Sequence, residues 1–182
     1  YICMTHMETA TPSSLLDPSH TCGIIQQTKH TPYGGSLLVL KLLGSAAAEG
    51  WPAPFCVCKA CQAARTLGGR NIRRRTSYQL GESIHIDWGP DSYNSMHSFG
   101  LDYADLAYLL ITHSHYDHWV PVELQWRGER FSQIPEDSWL TVYGNAEVRR
   151  RMEDELIPRL DEGLADLQLN FRLLEPFKTL DL

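Results

Sequence analysis

Residues 112–118 place His113, His115, Asp117 and His118 within six positions, four side chains able to hold metal ions. The preceding run Tyr108-Leu109-Leu110-Ile111-Thr112 is apolar and β-compatible, so the cluster begins where a buried strand ends. In extended chain alternate side chains share a face, which turns His113 and His115 to one side. A helix starting at Tyr116 would swing Asp117 and His118 towards a neighbouring point. Two adjacent ligand pairs of this kind suit two divalent ions sharing a bridging water. Without a metal the cluster is costly, through mutual repulsion when protonated and desolvation when neutral.

A second constellation is Cys56, Cys58 and Cys61, three thiols in six residues, a spacing suited to one structural zinc. Three thiolates leave a fourth ligand to come from elsewhere. The competing readings are a disulfide or unrelated buried cysteines. Geometry constrains a disulfide between such close neighbours, and nothing else marks the chain as secreted.

The His-x-His-x-Asp-His motif after an apolar strand resembles the signature of the metallo-β-lactamase fold of metal-dependent hydrolases. The resemblance implies that His113 and His115 hold one metal, and Asp117 and His118 the other. It also implies that Asp87, ending the run Ser83–Asp87, orients the ligand loop from behind. Gly50-Trp51-Pro52, the cysteine knuckle at 56–61 and the run Arg73-Arg74-Arg75 resemble the branch that includes phosphoribosyl 1,2-cyclic phosphate phosphodiesterase. A related branch serving quinone-cofactor biosynthesis shares the knuckle, but tends to have a degenerate histidine motif. The resemblance covers about residues 37–150.

The fold so implied is α/β, an αββα sandwich, of which this sequence supplies the N-terminal half to two-thirds. Its implied reaction is hydrolysis of a cyclic or small phosphodiester by a metal-bound hydroxide, with zinc or manganese as the catalytic pair and Asp117 orienting the nucleophile. No histidine follows His118 and no cysteine follows Cys61. The later ligands of the family are therefore missing, and a catalytically silent fragment is the rival reading. A lactamase or thioesterase on the same fold is a further one, disfavoured by the knuckle.

Composition sets outer limits. The 182 residues suffice for one sizeable core, and 43% hydrophobic with 21% charged residues is ordinary for a globular chain. Sixteen basic against twenty-two acidic residues leave a net charge of −6, which argues against general nucleic-acid binding. No apolar stretch approaches the ~20 residues that span a bilayer. The expected setting is cytoplasmic, with a small phosphodiester as partner; homo-oligomerisation stays open. Arg149, Arg150 and Arg151 read as a solvated face. Arg70, Arg73, Arg74 and Arg75 could approach a phosphate or serve the knuckle structurally.

Residues 1–35 are rich in Thr, Ser, Pro and His without periodicity and read as a poorly ordered extension or upstream translation. The domain then occupies 36–182. Strands are expected near 36–43, 76–80, 83–87, 108–112 and 139–143, with Gly81-Glu82 joining a hairpin. Helices are expected near 59–66, 116–127 and 146–160, the last amphipathic through Val148, Met152, Leu156 and Ile157 and ended or kinked by Pro158. Leu167–Leu174 alternates like a strand. Half a sandwich would leave a sheet face uncovered.

Overall fold

The computed structural model describes residues 38–161 and 163–179. The expectations for residues 1–35 lie outside the described residues. Six strands form one sheet in sequence order: β1 (Leu40–Gly44), β2 (Ser77–Leu80), β3 (Ile84–Ile86), β4 (Tyr108–Leu110), β5 (Leu140–Gly144) and β6 (Leu169–Leu173). β1, β2 and β3 run antiparallel in turn, and β3 to β6 are mutually parallel. The expected hairpin of β2 and β3 is joined by a second antiparallel pair, because β1 also folds back on β2.

Parallel strands laid down successively in one direction keep one hand of crossover. Their connections therefore gather on one face of the sheet, and the core lies there. Leu109, Leu140, Val142 and Leu169 meet Trp119, Leu124, Val148, Met152 and Leu156, all within 3% of full burial. Each such side chain contributes roughly 1.5–3 kcal/mol on leaving water. α3 (Ala146–Glu155) supplies Val148 and Met152 from one stripe. Asn145 caps it, its side-chain oxygen accepting from the Val148 amide at 3.0 Å. The regular helix stops at Glu155, five residues before the expected end. Residues before a proline avoid the helical region, and Ile157–Arg159 around Pro158 form a 3-10 turn instead.

Two local expectations need correction. The expected helix over 116–127 is a single turn after His115 followed by a 3-10 segment, Pro121–Arg127. Between them Trp119 bridges to Trp88, and the Val120 amide donates to the Trp88 carbonyl at 2.8 Å. That bridge draws the chain straight, and Pro121 has no amide hydrogen to continue a helix. Conversely, α2 (Ser92–Phe99) forms where no helix is expected. Its serines, Asn94 and His97 are weak helix formers, so tertiary contacts override propensity. Arg75 pairs with Asp91 at 3.1 Å just before the helix. Arg74 donates to Asn94 and Ser98 and lies over the Phe99 ring. These two arginines of the first basic run fasten α2 to the sheet. Gly100 then ends it in the left-handed conformation.

Candidate metal centre

Asp87 follows β3 and the histidine loop follows β4, so both sit at the carboxyl ends of adjacent parallel strands. Asp87 is 1% exposed and adopts φ 65°, a left-handed conformation uncommon outside glycine. Its carboxylate explains the strain. Oδ1 accepts from the Thr112 amide and hydroxyl, each at 2.8 Å. Oδ2 faces His118 Nδ1 at 2.7 Å. One buried carboxylate thereby grips both ends of the histidine loop, and its own amide donates to Leu110. Gly89 is equally constrained, since a Cβ there would lie 2.1 Å from the Asp117 carbonyl oxygen.

Within the loop the His113 ring lies 4.7 Å from His115 and 4.1 Å from His118, centroid to centroid. Asp117 Oδ2 is 3.0 Å from His118 Nε2. Asp117 is buried and His115 exposed, so the cluster has one solvent-facing side. Burial, then the neighbouring His118 and His115, push the His113 imidazole below its ordinary range, with Asp87 and Asp117 opposing. The neutral form so favoured is the one that binds metal. His118 faces a carboxylate on each ring nitrogen, Asp87 at Nδ1 and Asp117 at Nε2. Imidazoles and a carboxylate gathered in this way are a donor set that fits a divalent metal.

The thiols form a group of their own. Among the described residues, Cys56, Cys58 and Cys61 are the group whose donor atoms all lie within 4.8 Å of one another. The histidine cluster is looser, its donors partly engaged with each other and with Thr112, whose hydroxyl sits 3.1 Å from His113 Nδ1. None of the three cysteines is in a disulfide. Cys58 caps α1 (Lys59–Leu67), its sulfur accepting from the Cys61 amide at 3.5 Å. That bond, helped by Cys56, pulls the Cys58 thiol down to about 7. Burial pushes Cys61 up to about 11. Arg65 reaches back from α1 to the carbonyls of Ala53 and Cys56 at 2.6 and 2.8 Å, holding the thiol loop against the helix.

Three supports escaped the sequence reading. Thr112 ties the strand end to Asp87, and a hydroxyl just before a histidine cluster was its available signal. Gly89 admits the Asp117 backbone. Arg151 donates to the Ser114 carbonyl at 2.5 Å, so one arginine of the supposedly solvated run anchors the histidine loop. Its neighbours Arg149 and Arg150 do pair on the surface with Glu153, Glu147 and Asp154.

No family model matches the chain, and no curated protein matches it in sequence. Solved structures do. A diphosphatase from the PhnP family matches with TM-score 0.56 and 21% identity, over 75% of this chain and 50% of the other. The fold is the metallo-β-lactamase fold. The Zn2+-bound PqqB from Methylobacterium extorquens also has it, with TM-score 0.56 and 19% identity over 78% of this chain and 48% of its own. This chain spans about half the length of both structures. No helix among the described residues is long and apolar enough to cross a membrane.

Proposed function

We propose that this chain carries the first metal-binding half of a phosphodiester hydrolase, acting on a cyclic or small phosphodiester in the cytoplasm. The observation that carries the reading is the Asp87 grip on Thr112 and His118, which holds together a loop bearing four side chains able to bind metal. His113 and His115 would hold one ion, Asp117 and His118 the other, and Cys56, Cys58 and Cys61 a structural zinc. A bound pair of zinc or manganese ions supplies an acidified water as nucleophile and positive charge opposite the phosphoryl oxygens.

The protein's own groups set the geometry. Asp87 fixes His118 through Nδ1 and leaves Nε2 directed at the site. Asp117, 8% exposed, would orient the attacking water for in-line displacement at phosphorus. Arg74 and Arg75 are engaged with α2 and Asp91, so substrate charge would be met elsewhere. The PhnP-family diphosphatase and the cysteine knuckle together support phosphate-ester over lactam chemistry.

The test loads the complete protein that contains this half with zinc or manganese, counts bound metal, and assays a chromogenic phosphodiester beside a chromogenic lactam. Phosphodiester turnover that His115→Ala removes, with unfolding unchanged, is the expected result. Metal binding without turnover of either substrate would favour the silent reading. Lactam turnover alone would replace the phosphodiester.

A further inference from the structure

A cavity of about 580 Å³ opens beside the core and includes none of the histidine cluster or the thiols. Its floor is Leu106, Leu124 and Leu140. Its walls carry Trp88, Tyr103, Trp126 and Tyr93, with the carboxylates of Asp102 and Glu123 among them. Trp88 and Tyr103 pack at 4.9 Å between centroids, and Trp126 is braced edge-on by Phe131 at 4.8 Å. The rings are thus held in place, Trp126 with 51% of its surface still open.

The polar groups are unevenly satisfied. Arg127 also lines the cavity, but its Nε and Nη2 already donate to the carbonyls of Leu167 and Ser138, at 2.9 and 2.6 Å. Asp102 accepts from the Ala104 amide at 2.9 Å and keeps its second oxygen. Glu123 is half-buried, and burial pushes its carboxyl above the usual range, with the Trp88 indole opposing. Trp88 Nε1 is itself buried and lies towards this carboxyl without closing a full hydrogen bond. Half-buried Glu123 and exposed Asp102 therefore line the cavity with the aromatic side chains and one cation, Arg127, whose Nε and Nη2 are directed into the backbone.

Aromatic faces attract cations, most strongly where water is excluded, and a carboxylate short of solvent gains most from an opposite charge. A hydrated ammonium such as lysine's would lose its water here, whereas an alkylated ammonium brings apolar surface with its charge. We propose that this cavity binds a small organic cation bearing an alkylated ammonium group, held by Trp88, Tyr103 and Trp126 and paired with Glu123. The site stands independently of the metal cluster.

Calorimetric titration of the full chain with choline, beside its uncharged isostere 3,3-dimethylbutan-1-ol, tests it. Choline should saturate one site, with the isostere weaker by about tenfold or more. Trp126→Ala and Glu123→Gln should each weaken choline about tenfold. Trp126 is a partly open surface ring, so its variant should keep the wild-type circular dichroism and melting temperature. His115→Ala should leave choline binding unchanged. Absence of saturable choline binding, equal affinity for the isostere, or full affinity in both pocket variants would overturn the proposal.

Discussion

The thiols of Cys58 and Cys61 differ although they lie three residues apart, because one caps a helix and the other is enclosed by it. Cys58 receives the Cys61 amide and sits at about 7, whereas Cys61 is fully buried and sits at about 11. Metal takes the thiolate, so binding releases protons and strengthens as pH rises. Below about pH 7 a proton competes at Cys58 as well as at Cys61, and above it at Cys61 but no longer at Cys58. Zinc affinity should thus fall on acidification, with about one additional power of ten per pH unit lost once pH drops below the Cys58 value. Competition with a chromophoric chelator at several pH values measures this. Cys58→Ser should lose that added steepness along with much of the affinity. An unchanged slope in the variant would show that Cys58 is not a ligand.

The elements that position the histidine loop make contact through backbone, where a single methyl group matters. A Cβ at Gly89 would meet the Asp117 carbonyl oxygen at 2.1 Å, so Gly89→Ala must push apart the two segments that Asp87 draws together. Overpacking of this kind costs roughly 1–3 kcal/mol. Urea unfolding should show that loss, and metal affinity should fall with it; wild-type stability would mean the two segments are not clamped. The same contacts explain which elements were legible in the sequence. β4 and the His113–His118 motif are local patterns, an apolar run followed by ligands at short spacing, and their placement could be read directly. The α3 stripe was legible for the same reason. α2 was not, because Arg74 and Arg75 hold it from outside its own sequence. The segment after Tyr116 was misread because its straightness comes from Trp88, some thirty residues earlier. Arg151 looked like its solvated neighbours, since nothing local marks its reach to Ser114.

At the scale of the whole molecule the sheet has two unlike faces. Its order follows the sequence, so crossovers of one hand collect on one side and the core forms there. On the other side the register brings Leu40 beside Leu80, Leu42 beside Tyr78, and Ile84 between Leu80 and Tyr108. Ile86 and Leu110 extend this face to Tyr143. Most of these side chains are half-buried, Leu40 is 45% exposed, and the face turns polar at Asn170 and Arg172 on β6. A contiguous apolar patch of this kind favours association with whatever apolar surface is present. For the chain alone at rising concentration, that surface is another copy. Sedimentation should therefore show reversible, concentration-dependent self-association. A charge placed at the centre of the face, Ile84→Lys, should shift the chain towards monomer. If the face is open, the substitution should also leave stability within about 0.5 kcal/mol of wild type, as for surface positions generally. Unfolding of the variant would place Ile84 in a packed interior. Unchanged association would move the contact to another surface.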